Sequence, residues 1–163
     1  MKKWILLLMM ILLTGCGAED TFETVSDELI LPVMAQPGYI SVELPGETAL
    51  PVIGNDRGRV YICNDYEIVI QTLEAGDLEQ TLRELSGHTK ADLTVMETAR
   101  DGVTRYEFVW AAAGEQGDRL GRAVILDDGQ YHYCMSVLRD AASVENTQIV
   151  WSDVFQSFEL TSY

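Results

Sequence analysis

Two Asp-Gly pairs, at 101–102 and 128–129, stand between stretches that alternate apolar and polar residues, and they constrain the fold more than any other feature of the chain. A two-residue hairpin turn needs positive φ at its centre, which Asp-Gly tolerates, and the flanking alternation gives strands with one buried face. Residues 93–139 therefore read as a β-meander: "LTVMETA", the first turn, "VTRYEFVWAAA", a Gly-containing loop, "RLGRAVILD", the second turn, and "YHYCMSVLR". Within it Tyr106, Phe108 and Trp110 point to one face and Arg105, Glu107 and Val109 to the other, so the aromatic side is expected to be buried.

Upstream, "YISVELP" predicts a strand over 39–44, and "RVYICNDYEIVIQTL" predicts two strands joined by a turn at Asn64-Asp65. The period then changes. In "GDLEQTLRELSG" Leu78, Leu82 and Leu85 fall at i, i+4 and i+7, the stripe of a helix with one buried face. Asp77 is placed to cap it, Gln80 to complete a capping box, and Gly87 to end it. The tail "NTQIVWSDVFQSFEL" spaces Val150 or Trp151, Val154, Phe155 and Phe158 for a second amphipathic helix that runs into a short strand. The expected fold class is α+β: a single antiparallel sheet of about six or seven strands, rich in meander and covered by two or more helices.

The first fifteen residues have a different character. Lys2 and Lys3 precede an apolar run from Trp4 to Leu13, and the small polar pair Thr14-Gly15 follows, the layout of an export signal. A ten-residue apolar helix rises only about 15 Å, half of a hydrocarbon core near 30 Å, so the run is too short for a membrane span. Leu13-Thr14-Gly15-Cys16 resembles the lipobox of bacterial lipoproteins. That resemblance implies cleavage after residue 15 and a diacylglyceryl group on the Cys16 thiol, whose acyl chains hold a soluble domain on the extracytoplasmic face of a cell membrane.

Residues 16–37 read as a linker. Glu19, Asp20, Glu23, Asp27 and Glu28 are not balanced by any basic residue, which predicts a mobile spacer over 17–28, and Pro32 and Pro37 interrupt the apolar lead-in that follows. The folded domain is expected over 38–163. The whole chain has 11 basic and 26 acidic residues; removing residues 1–15, with two lysines and no acid, leaves 9 against 26, a formal charge of −17. Such a surface repels phosphate backbones and anionic headgroups, which argues against a nucleic-acid partner and for a domain held off the bilayer by its tether.

The order of elements, with an opening "YISVELP", a long meander and a closing helix that runs into "SFEL", resembles the PsbP-like fold. That fold, an α/β/α sandwich, is shared by extrinsic photosystem subunits, a Ran-binding nuclear import factor and several small bacterial lipoproteins. The likeness spans about residues 38–163 and rests on element order and end motifs, without a catalytic signature. It implies a non-enzymatic binding or assembly role with an envelope protein as partner, and it assigns no functional residue.

Chemistry-bearing residues are sparse. The motifs of P-loops, serine-nucleophile elbows, zinc proteases, redox dithiols and EF-hands are absent, so neither a metal nor a cofactor is expected. His88 follows the first helix, where an imidazolium suits the negative end of the dipole. His132 is the one candidate general base, and a metal-independent envelope hydrolase built around it is the enzyme alternative. "GEQGDRLG" reads as a hairpin connection and Asp127-Asp128-Gly129 as a turn. Tyr61, Tyr106, Trp110, Tyr131 and Tyr133, with His132, form the candidate ligand groove of a small-molecule carrier, although aromatics at strand spacing also serve as core. Cys63 and Cys134 are an even pair in an exported chain, either a disulfide or two free buried thiols. The anchor can be tested directly. Metabolic labelling with a palmitate analogue should mark the wild-type chain and not Cys16→Ser; equal labelling of both would remove the tether.

Overall fold

The computed structural model describes residues 36–46, 50–63, 66–114, 117–141 and 148–161. They all belong to one of the chain's two units, Met34–Tyr163. The expected export signal, Cys16, the expected spacer over 17–28 and the turn expected at Asn64-Asp65 lie outside the described residues.

The described elements, in order, are β1 (Tyr39–Ser41), β2 (Ile53–Asn55), β3 (Gly58–Ile62), β4 (Tyr66–Glu74), α1 (Leu78–Ser86), β5 (Met96–Arg100), β6 (Val103–Gly114), β7 (Gly117–Asp127), β8 (Tyr131–Asp140), α2 (Gln148–Ser157) and β9 (Glu159–Thr161). Seven strands form one antiparallel sheet in the order β2-β3-β4-β8-β7-β6-β5. Two meanders, β2-β3-β4 and β5-β6-β7-β8, meet where β4 pairs β8, and α1 lies in the crossover that carries the chain from β4 to the far edge.

The two Asp-Gly turns behave as their chemistry requires, in different ways. Asp101 and Gly102 both have positive φ, at 52° and 82°, the combination of a type I′ turn between the paired residues Arg100 and Val103. At the second turn only Gly129 is positive, at 86°, and the Asp128 amide reaches the Tyr131 carbonyl at 3.3 Å, so the loop pivots on Gly129-Gln130. Asp128 accepts bonds there from the Gln130 and Tyr131 amides, and Asp127 accepts one from Gly129. Both carboxylates thus act as turn formers.

Helix α1 begins and ends at the expected residues. The Asp77 carboxylate accepts from the Glu79 amide, and Gly87 closes the helix with φ 77° and a bond to the Arg83 carbonyl. Gln80 does not complete a capping box; its amide donates to Glu84 one turn on. The strand expected over 39–44 is shorter and leaves the main sheet: β1 pairs only β9, the last strand. Val42 and Leu44 still pack on the core beyond it. β5 starts at Met96 rather than at the expected Leu93, and a 3-10 turn over Lys90–Asp92 precedes it. β2 was not expected at all; it is held by the Asn55 side chain, which accepts from the Arg57 and Gly58 amides across the hairpin.

Each face of the sheet carries one helix. On the α1 face Leu82 packs with Phe108, Trp110, Ala123, Ile125 and Cys134. On the α2 face Trp151, Val154, Phe155 and Phe158 pack with Ile68, Ile70, Val124, Leu126 and the inner residues of β8. Alternation sends neighbouring residues of β8 to opposite cores, which is why Tyr131–Met135 are all buried. The α1 face also explains Gly121, which pairs Trp110: a Cβ there would overlap the indole, which lies against the glycine backbone.

Gly121→Ala should therefore push Trp110 out of its seat and cost about 1–3 kcal/mol. Urea unfolding checks this beside Gly76→Ala, whose added methyl meets nothing within 4 Å and should leave the midpoint unchanged.

Candidate functional site

The sheet separates the residues expected to line a ligand groove. Tyr61, Tyr131 and Tyr133 belong to the α2-face core, whereas Trp110 and Tyr106 belong to the α1-face cluster. His132 lies beneath α1, where its Nδ1 is 2.8 Å from the Thr81 hydroxyl. A single aromatic groove is thus corrected to two packed faces, because register sets Tyr106 of β6 level with Ile125 and Cys134, whereas Tyr131 and Tyr133 of β8 lie one residue out of phase with it. Tyr133 ties down the start of the domain, since its hydroxyl donates to Asp128 at 2.9 Å and accepts the Gly38 amide at 2.8 Å. Burial, with the adjoining Asp128 carboxylate, pushes the Tyr133 phenol up to about 12.

His132 is 1% exposed, and its second ring nitrogen lies 3.6 Å from Asp127. Thr81, His132 and Asp127 make a chain that superficially matches a hydroxyl–imidazole–carboxylate constellation. A shallow polar cleft beside α1, bounded by Gln71, Glu74, Gln80 and Glu84, reaches Thr81 but not the imidazole. The chain joins α1 to the end of the β7–β8 hairpin. His88 follows the Gly87 cap of α1, and its Nε2 reaches the Ala111 carbonyl of β6 at 3.3 Å, a contact that requires the proton on Nε2.

The two cysteines are free. Cys63 follows the last residue of β3, and Cys134 faces Gln71 of β4 from β8. Two strand spacings, about 10 Å across the sheet, and about 15 Å along it separate them, beyond the roughly 7 Å reach of a disulfide. Burial, helped by the Glu84 charge, raises the Cys134 thiol to about 12, which makes it an inert core residue. Among the described residues no three His, Cys, Asp or Glu side chains come together as a metal site.

The uncovered part of the α2 face is where the surface departs from a solvated one. Register places Ala111, Leu120 and Arg139 in one row across β6, β7 and β8, and Val109, Arg122 and Val137 in the next. Helix α2 walls one side with Trp151 and Phe155, and the segment before β5 walls the other with Asp92, Leu93 and Thr94, enclosing an open groove of about 800 Å³. Val109 and Met96 are each 62% exposed and Leu120 is 38% exposed, so large apolar side chains form its floor and rim.

A polar cluster borders that floor. Glu107 accepts from Arg105 at 2.8 Å and from Arg122 at 2.9 Å. Arg105 also donates to the Phe155 and Phe158 carbonyls, capping the end of α2, while the Arg122 guanidinium lies 4.2 Å over the Phe155 ring. Burial alone would raise the Glu107 carboxyl, but the bonds and charges of Arg122 and Arg105 outweigh it and hold the group below its ordinary value. Burial, with repulsion from Arg122, lowers the Arg139 guanidinium. Sequence reasoning placed Arg105, Glu107 and Val109 on one face but did not see them as a site. The available signal was an Arg-x-Glu-x-Val-x-Ala face opposite three aromatics, too polar for core and too apolar for an ordinary solvated face.

No protein-family model matches the chain, and no curated protein matches it significantly.

Glu107 yields a pH test. Its folded value lies below the unfolded one, so its stabilisation is fully present above the ordinary glutamate range near pH 4.3 and is lost as the pH falls through the lower folded value. Glu107→Gln should lower stability at pH 7 by on the order of 1 kcal/mol, a figure reduced for the partial exposure of the pair. Thermal unfolding of both proteins should show that gap closing as the pH falls below the ordinary glutamate range; a gap unchanged with pH would mean that the carboxylate charge is not what holds α2.

Proposed function

We propose that the chain is a membrane-anchored extracytoplasmic lipoprotein whose single α+β domain, of the PsbP-like type, acts as a non-enzymatic binding or assembly module for an envelope protein partner. The observation that carries this reading is the groove beside α2, where Val109, Met96 and Leu120 are exposed together on a sheet face that the domain's own helix leaves uncovered. Apolar side chains gathered in one patch with a polar border are the composition of a protein-binding surface. The lipobox-like Leu13-Thr14-Gly15-Cys16 and the acidic residues after it support a tether at the membrane. Among the described residues no helix is long and apolar enough to cross a membrane.

The two alternatives draw less support. A carrier built on the aromatic strands would need those rings on one side of the sheet, and they are divided between two cores. A hydrolase centred on His132 would need the imidazole to reach substrate, and the ring lies under α1 with contacts at both nitrogens.

Mild cross-linking of the lipidated chain in its native envelope, read by mass spectrometry beside Cys16→Ser, tests the proposal. A specific protein partner lost in the variant is expected. Recovery of a co-purifying small molecule without any protein adduct would replace the adaptor reading with the carrier.

A further inference from the structure

We infer that the two Asp-Gly pairs differ in chemical fate: Asp101-Gly102 is a site of spontaneous aspartate isomerisation in the folded protein, and Asp128-Gly129 is protected from it. Read as sequence, the two pairs are equally susceptible, because a following glycine has no Cβ to obstruct the reaction. Their surroundings separate them.

The reaction needs only water as co-reactant. The glycine amide nitrogen attacks Cγ of the preceding aspartic acid, the new N–Cγ bond closes a five-membered succinimide, and the carboxyl hydroxyl leaves with the amide proton as water. A second water then opens the ring. Breaking the N–Cγ bond returns aspartate; breaking the bond from that nitrogen to the Asp backbone carbonyl carbon gives isoaspartate, whose main chain runs through Cβ and Cγ. Nothing is oxidised or reduced.

At Asp101 both reacting groups are available. Its side chain is 87% exposed and meets the Arg100 guanidinium, itself 92% exposed, at 3.2 Å, a contact that solvent weakens. Among the described residues the Gly102 amide has no hydrogen-bond acceptor, and nothing lies within 4 Å of where a Cβ on Gly102 would stand. Asp101 sits at φ 52°, a region disfavoured for an L-residue, so leaving it meets no backbone penalty. The arm that the turn closes, β5, is an edge strand exposed along its whole length, so the tip can open without disturbing either core.

At Asp128 both groups are occupied. Oδ1 accepts the Gln130 and Tyr131 amides at 2.8 and 2.7 Å, and Oδ2 accepts the Tyr133 hydroxyl at 2.9 Å. The Gly129 amide, the nucleophile in this case, donates to Asp127 at 2.8 Å. Attack requires these bonds to be given up together, and bonds to a carboxylate are among the stronger ones.

Isoaspartate at 101 adds a main-chain carbon to a turn built for two residues. Arg100 and Val103 then cannot close it in the same register. β5 loosens as a result, and with it Met96 at the rim of the groove beside α2.

The full chain, incubated in heavy-oxygen water and digested in ordinary water, gives the test, because each passage through the ring fixes one solvent oxygen. Label and isoaspartyl methyl-acceptor content are read in the peptides holding 101–102 and 128–129. In the folded protein the first should react at least about tenfold faster than the second, and in urea the two should react at comparable rates. Asp101→Glu should abolish the first signal, since its longer side chain closes a less favoured six-membered ring. Equal rates in the folded protein overturn the inference. So does a folded rate at 101–102 more than about tenfold below its value in urea, which would mean that the hairpin protects this pair as well. Label that survives Asp101→Glu overturns the assignment to Asp101. In the isolated isoaspartyl product, amide hydrogen exchange should quicken over residues 98–105 and stay unchanged along β4 and β8; unchanged exchange over 98–105 overturns the loosening of β5.

Discussion

Everything in this domain hangs on the ladder between β4 and β8, in which Tyr66–Glu74 pair Arg139–Tyr131 residue for residue. Among the described strands of the main sheet it is the one junction between strands that are not neighbours in sequence. Closing it brings together two meanders that could each form locally, and the entropy of the intervening chain must be offset by what the closure buries. What it buries is β8 on both faces at once: Tyr133 and Met135 toward α2, His132 and Cys134 toward α1. The floor under α2, which takes Ile68 and Ile70 from β4 and Val124, Leu126, Tyr133 and Met135 from β7 and β8, is complete only when this ladder exists.

The two faces then solve different problems. The α1 face is sealed by shape, with Leu82 over the aromatics and the Trp110 ring against the bare backbone of Gly121. The α2 face is sealed partly by charge, since Arg105 reaches from the sheet to the last carbonyls of α2 and Glu107 holds Arg105 and Arg122 in place. Buried polar groups on both are satisfied: among the described residues no buried side-chain nitrogen or oxygen lacks a partner. The clamp fixes only one flank of the sheet, and for that reason the β6 and β7 residues beyond it keep their apolar side chains in view of solvent.

Much of this was legible in the sequence where one local signal decided the outcome. Asp-Gly placed both hairpins, the leucine spacing with Asp77 and Gly87 placed α1, and Trp151, Val154 and Phe155 placed α2. What failed depended on partners far along the chain. The separation of Tyr106 and Trp110 from Tyr61, Tyr131 and Tyr133 follows from cross-strand register, which no single strand reveals. The Cys63–Cys134 pair had the right parity, but the strand order holds the two thiols apart. β2 was hidden because three residues, Ile53–Asn55, are too few to show a period. The candidate site was half visible: the face bearing Arg105, Glu107 and Val109 could be read from alternation, whereas Arg122 and Arg139 join it only through β7 and β8.

The pairing of β1 with β9 puts the first and last strands of the domain side by side, Tyr39 opposite Thr161. A pull delivered through the residues before Gly38 would reach this short ribbon before it reached the seven-stranded sheet. The Gly38 amide bond to the Tyr133 hydroxyl would share the load. The ribbon is therefore the first ladder to take such a load, and Ile40 and Leu160 pass it on to the core beneath α2.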